Sequence, residues 1–470
     1  MKRKLLFLLT VIIVMATLCL TVSAMEGSGS EADPYIVKTA EDFVAIKNGL
    51  SNHYKLDADL NLSSDSGAIV EGEFKGVFDG NGHTITLAIN APTNMSTDTF
   101  DALFGVVSGK IKNLTVDGSV SGSNKVAGIV GKLLGGGNVD NCINYATVYG
   151  RKNVGGVIGL ILQGATVTNC ANYGDISGTS ISKGVDMGGI VGCVWEATKG
   201  ILTIENCYNE GSVTGNGENC GGICGYFYGG NVKNVFNLGE ITSTNQSSAG
   251  MIYGKLEYEN NRTYKMAGYF STDSEKTIGI KNGEIIFENP MLDSDGVAIY
   301  LGNGSGIRGE FHVNKEALSV FCKFADLDLA DVEYGALVST APIVEQFGGN
   351  LTSQEAIDSQ KVIFAPAMQN GEQKYVFVDD VKGDSFHSYR FALTGFPDNS
   401  QSYNMEFVIL GYIKLADSEG HEILSYVNTV ESIDLAYRVG DTKLNAVSIV
   451  RVAEVTVADG DFADNEEALG

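Results

Sequence analysis

Val126-Ala127-Gly128-Ile129-Val130-Gly131, followed by Val139-Asp140-Asn141-Cys142-Ile143-Asn144-Tyr145-Ala146-Thr147-Val148-Tyr149-Gly150, is a unit that this chain repeats. The next copy reads VGGVIG from Val154 and VTNCANYGDISG after it, then MGGIVG with IENCYNEGSVTG from Met187, then CGGICG with VKNVFNLGEITS from Cys220. A degenerate copy, LFGVV with IKNLTVDGSVSG, begins at Leu103, and a fading one runs from Ala249 to Leu256. The Asn that opens each second half falls at Asn113, Asn141, Asn169, Asn206 and Asn234, at spacings of 28, 28, 37 and 28. Seven residues later comes Val120, Val148, Ile176, Val213 or Ile241. Fixed register, with insertions confined to Gly-, Ser-, Thr- and Lys-rich joints, makes each copy one structural coil.

The segments between joints are short, β-branched and bounded by Gly or Asn, and no helix-length apolar period occurs from Leu103 to Leu256. They read as strands. Six coils stacked at roughly 4.8 Å would make a rod of about 29 Å. A stack of this kind leaves two open ends that invite edge pairing. Thr39-Ala40-Glu41-Asp42, with Phe43, Ile46, Lys47 and Leu50 at helical spacing, predicts a capped helix that covers the first coil.

The chain opens with Lys2, Arg3 and Lys4, an apolar run from Leu5 to Leu20, and Val22-Ser23-Ala24, the layout of a secretory signal cleaved before Met25. Leu18 before Cys19 argues against a lipid-modified cysteine. No later segment is long and apolar enough to span a membrane. Losing the three leader cations moves the formal charge from −25 to −28, which argues against nucleic acid or anionic lipid as partner. Four parts follow: signal 1–24, repeat domain 25–285, a C-terminal β-rich domain 286–457, and an acidic tail 458–470 expected to be disordered. In the C-terminal part the alternating runs Lys374 to Val378, Ser388 to Leu393, Met405 to Leu410 and Ala446 to Val452 predict an antiparallel, sandwich-like fold.

Several ordered motifs carry a resemblance: Asp33-Pro34-Tyr35-Ile36-Val37, Ala40-Glu41-Asp42-Phe43, Tyr54 to Leu60, and Phe74-Lys75-Gly76-Val77-Phe78-Asp79-Gly80-Asn81-Gly82-His83-Thr84-Ile85. Together with the GGxxG units they resemble bacterial GLUG-repeat proteins over roughly residues 30 to 256. The resemblance implies a right-handed parallel β-helix of the pectin-lyase-like kind, found in adhesin-like surface proteins and beside the catalytic domain of some metallopeptidases. It implies no single activity. Gly306-Ile307-Arg308, Tyr334-Gly335, Phe407 through Tyr412 and Glu431-Ser432-Ile433 are loosely similar to a module at the ends of clostridial extracellular proteins, although Gly309-Glu310 interrupts the run.

The candidate sites divide between chemistry and architecture. Cys142, Cys170 and Cys207 recur in one slot that also holds Leu114 and Val235, so they read as small core hydrophobes rather than metal ligands. Cys220 and Cys224, placed on one extended segment, would lie too far apart to bond directly, while a bridge from Cys193 or a neighbouring coil stays open. Asn141, Asn169, Asn206 and Asn234 read as a structural row at left-handed corners, and Gly131, Gly159, Gly192 and Gly225 as the matching repeat glycines. Asp79 to His83 suits a tight turn, because Asp140, Thr168, Glu205 and Lys233 form no repeating acid row of the sort a polysaccharide-cutting cleft needs. The histidines, His53, His83, His312, His387 and His421, lack the HExxH spacing of a zinc peptidase. Asp326, Asp328, Asp331 and Glu333 have no EF-hand spacing and read as a solvated strand face. No metal or cofactor is expected.

Trp195, Tyr226, Phe227 and Tyr228 cluster after repeat glycines and form the predicted ligand-contacting patch. The sequence therefore points to a secreted, all-β binding or adhesion protein that takes an extracellular glycan or protein and has no catalytic residues. Non-covalent attachment to the cell surface stays open, as do a polysaccharide lyase or hydrolase working along the rod and a structural spacer.

Overall fold

The computed structural model describes residues 25–93, 98–162, 164–179, 185–195, 202–216 and 219–257. Beyond these it describes 264–267, 270–271, 278–282, 285–288, 291–300, 306–347, 359–369, 371–374, 377–378, 383–393, 407–416 and 422–427. The predicted signal segment and the acidic tail lie outside the described residues, as does the run Ala446 to Val452.

Strands dominate, and from Tyr35 to Glu288 every described pairing is parallel. The chain winds as a parallel β-helix in which each repeat contributes one coil. Phe78, Ile111, Val139, Val167, Ile204 and Val232 stand in register on successive coils and all lie in the core. The slot shared by Leu114, Cys142, Cys170, Cys207 and Val235 is also fully interior. The stack extends past both limits of the recognisable repeats. One sheet runs through eight described strands, from Val70–Phe74 to Ile278–Asn282, so its outermost strands stand about 34 Å apart at ordinary strand spacing.

The N-terminal plug forms as predicted. Helix α1 (Ala40–Ala45) begins with a capping box in which the Thr39 hydroxyl accepts from Asp42 N and the Asp42 carboxylate accepts from Thr39 N. Its Phe43 packs on Phe78 and Phe104 at ring distances of 5.4 and 5.7 Å, which covers the first coils with aromatic surface. Met25, the first residue after the predicted leader, packs against the same core.

From Leu292 the pairing turns antiparallel, with a four-stranded and a five-stranded sheet among the described residues. Tyr389 of one sheet meets Tyr334 of the other at 5.6 Å, and its hydroxyl donates to Gly335 O. This module also holds helix α2 (Lys315–Phe324), which the strand-only reading of this region missed. Its sequence signal is Asn314, whose side chain caps Ala317 N, followed by Ala317, Leu318, Phe321 and Cys322 on one buried face. The helix packs onto the rod. Tyr208 stacks on Phe324 at 5.8 Å, Phe236 meets Phe321 at 5.5 Å, and Lys233 pairs with Glu316 at 2.7 Å.

Two expectations need correction. Cys220 and Cys224 do not share an extended segment. They sit on strands Asn219–Gly221 and Cys224–Phe227, which belong to different sheets on either side of a bend. All seven described cysteines are buried thiols, none of them in a disulfide. The acidic run is not a strand face either. Asp326 takes a left-handed φ of 54°, Asp328 caps a short 3-10 turn at Ala330 N, and only Glu333 enters a strand, where it accepts from Tyr412 and Gln369.

Candidate functional site

Two asparagine rows organise the rod and fix what its surface presents. The outer row, Asn113, Asn141, Asn169, Asn206 and Asn234, holds φ values of 51–55°, the left-handed corner that Asn tolerates best among residues with a side chain. Each amide reaches toward the preceding coil, as in Asn141 to Asn113 at 2.9 Å, Asn206 to Asn169 at 3.1 Å and Asn234 to Asn206 at 2.9 Å. Asn169 instead donates to Asp140 at 2.9 Å, and Asn113 to Asp79 at 2.9 Å.

Three residues further on runs a second row, Asn144, Asn172, Asn209 and Asn237, each with no exposed surface. Each amide donates to the backbone oxygen two residues ahead, and those of Asn144, Asn172 and Asn209 donate also to the next carboxamide, at 2.7, 2.8 and 2.7 Å. This row and the backbone oxygen of the following coil together explain the second glycine of the GG pair. A Cβ on Gly128, Gly156, Gly189 or Gly222 would come within 2.1–2.3 Å of Asn144, Asn172, Asn209 or Asn237 respectively. The later repeat glycines serve a different contact. A Cβ on Gly159, Gly192 or Gly225 would meet backbone across the bend at 2.4–2.7 Å, and one on Gly131 would meet Gly105 O at 2.9 Å. The inner row was present in the repeats as INY, ANY, YNE and FNL. Its signal was the constant three-residue offset from the outer row.

The repeat glycines let the chain bend tightly, and beyond the bend one position of the next strands forms a row along the rod. In register on successive coils stand Lys132, Leu160, Cys193, Tyr226 and Lys255, with Leu162 and Trp195 paired two residues on. Trp195 is 51% exposed. Its ring lies 5.5 Å from Tyr226 and 6.3 Å from Tyr228, and Tyr226 lies 6.4 Å from Tyr228, with planes within 26° of one another. Tyr226 is 7% exposed and fixed from several sides. Its hydroxyl donates to Glu257 at 2.8 Å, and the Lys255 ammonium stands 5.1 Å from its ring centroid. Lys255 also pairs with Glu257 at 2.6 Å, and this contact with the Tyr226 hydrogen bond holds the Glu257 carboxyl below its usual range.

Of the predicted aromatic patch, Trp195, Tyr226 and Tyr228 come together, while Phe227 must be withdrawn. Strand alternation turns Phe227 inward, where it has no exposure and stacks on Tyr253 at 4.7 Å. On the strands before the bend runs a buried polar row, Lys125, Asn153, Asp186 and Asn219, in which Asn219 donates to Asp186 at 2.7 Å. Burial first, then the Asp186 charge, drives the Cys193 thiol well above its ordinary value, while burial followed by the hydrogen bond to Glu257 raises the Tyr226 phenol, so both stay protonated.

The acids on the face that carries the outer asparagine row are tied into ion pairs and amide contacts. Asp79 pairs with Lys112 at 3.0 Å, and Asp140 with Lys110 at 3.4 Å while it accepts from Thr168 at 2.8 Å. His83 meets Asp59 at 3.1 Å across the Asp79–His83 turn, in which Asn81 is left-handed at φ 54°. These contacts describe a turn held to its neighbouring coil. Among the described residues no group of three or more His, Cys, Asp or Glu is placed to hold a metal. In comparisons with known proteins, no family model, no curated protein and no solved structure matches this chain.

Proposed function

We propose that this chain is a secreted, cell-envelope-associated binding protein whose rod presents the Trp195 surface to an extracellular glycan. The observation that carries the reading is Trp195 itself, the single tryptophan of the sequence, left half in water on a strand inside a continuous parallel sheet. Leaving so large an apolar ring exposed forgoes stabilisation of the order of 1–2 kcal/mol, and the strand holds it rigidly. An indole with one N–H donor, flanked by tyrosine rings, matches the apolar face and hydroxyl rim of a sugar. The leader-like N-terminus and the resemblance of the repeats to GLUG units support a place outside the cell. The neutralised acids on the neighbouring face favour binding without bond cleavage.

A glycan array probed with residues 25–470, with reducing-end release assayed on every hit, tests this reading. Binding without release that Trp195→Ala weakens by about tenfold or more, with unfolding unchanged, is the expected result. Release of sugar ends, or glycan binding indifferent to Trp195→Ala, would overturn it. Binding to proteins only would replace the glycan with a protein ligand.

A further inference from the structure

Two coils toward the N-terminus from Trp195 stands a knot of lysines. Lys125 sits at a bend with φ 50°, its side chain only 7% exposed, and pairs with Asp98. Its ammonium lies 5.0 Å from the centroid of Phe100, and the Lys132 ammonium lies 5.9 Å from the same ring. Lys152, exposed, stands on the adjacent coil opposite Asn124. The three charges feel one another. Burial, followed by repulsion from Lys132 and Lys152, brings the Lys125 ammonium down to about 8. Two ammonium groups beside one ring, with a third lysine on the adjacent coil and Asp98 the carboxylate paired with Lys125, make a local positive patch that an anion would relieve.

Register places this knot relative to the aromatic surface. Lys132, Leu160 and Cys193 are partners on successive coils, and Cys193 precedes Trp195 by two residues on the same strand. Two coils span about 10 Å, so a chain lying along this side of the rod would reach from the indole to the ammonium groups within a few sugar units. We propose that Lys125, Lys132 and Lys152 form an anion subsite of the same binding surface, and that the ligand is an acidic polysaccharide whose uronate carboxylates dock there. The proposal rests on the glycan reading of Trp195 and adds the ligand's charge class.

The test compares oligogalacturonate with its fully methyl-esterified form, titrated calorimetrically into residues 25–470. The double reversal Lys132→Glu/Lys152→Glu changes a half-buried and an exposed side chain and leaves buried Lys125 alone, and thermal unfolding verifies that it folds. The single Lys152→Gln variant stands in if the double does not fold. The expected result is a loss of about tenfold or more toward oligogalacturonate, little change toward the ester, and binding of the acidic form that weakens steeply with salt. Equal loss toward both ligands, no loss toward either, or no binding of the acidic probe overturns the subsite. If Trp195→Ala alone leaves both affinities intact while the lysine reversal acts selectively, the anion subsite stands and the Trp195 reading falls.

Discussion

The outer and inner asparagine rows cross the same coils three residues apart and use the same amide, yet they hold the rod by different means. In the outer row the backbone decides. Asn is there because a corner at φ near 53° suits it, and its amide reaches a partly wet neighbour. In the inner row the side chain decides. Asn172 donates to Asn209 and Gly174 O and accepts from Asn144, all without access to water. Identical residues therefore carry unequal energies, because a lost hydrogen bond costs most where water cannot replace it. The inner row begins abruptly at Asn144, whose partner on the preceding coil is Val116, and its carboxamide oxygen has no hydrogen-bond partner in the structure.

Breaking the inner row should have the largest effect. Asn172→Ala orphans a donor on Asn144 and acceptors on Asn209 and Gly174, and should cost about 3–5 kcal/mol in chemical unfolding. A cost under about 1 kcal/mol would mean that water or a shifted coil repairs the gap. Gly189→Ala attacks the same row from the other half of the repeat, since its Cβ would lie 2.1 Å from Asn209 Oδ1, and 2.2 Å from the backbone oxygen of Gly222 as well. About 2–3 kcal/mol is expected, and the double variant Gly189→Ala/Asn209→Ala should lose less than the sum of the two singles.

A corner on the opposite side sharpens the contrast, because Lys125 takes there, at φ 50°, the left-handed slot that Asn153 takes one coil later at 52°. The folded protein releases the Lys125 proton at about 8, whereas the unfolded chain holds it to 10.5. Its charged form therefore opposes folding below pH 8, and that penalty fades as pH rises from about 8 to 10.5. Relative to Lys125→Met, the wild-type protein should gain roughly 2–3 kcal/mol across this window, measured as unfolding free energy at each pH. A flat difference would show that the ammonium is not desolvated. The smallest effect belongs to the outer row. Asn206→Ala should cost about 1–2 kcal/mol, chiefly through the left-handed corner, and Asn206→Gly should recover most of it, as thermal unfolding of the pair would show.

Much of this was legible in the repeats because periodicity encodes register. The strand slots, the cysteine slot shared with Leu114 and Val235, the left-handed outer asparagines and the capping box at Thr39 all follow from local backbone chemistry and spacing. What eluded sequence reasoning depends on contacts between distant segments. Phe227 looked like part of an aromatic cluster, and only the alternation of its strand against Tyr253 sent it into the core. Helix α2 was hidden because its ten residues sit among alternating strands, although Asn314 and the Ala317-Phe321 spacing marked it. The lysine knot was invisible because Phe100, Lys125, Lys132 and Lys152 converge only once the coils stack.

The sequence by itself determined a stacked parallel architecture, since a repeat of constant length with fixed inward slots has one economical way to bury its apolar residues and pair its backbone. The tertiary structure alone decided which side chains face the solvent and which meet across coils. Those outcomes turn on the bend at the repeat glycines, which sets neighbouring strands at an angle that no single repeat specifies. That bend sets Trp195 and the lysine knot two coils apart on one side of the rod.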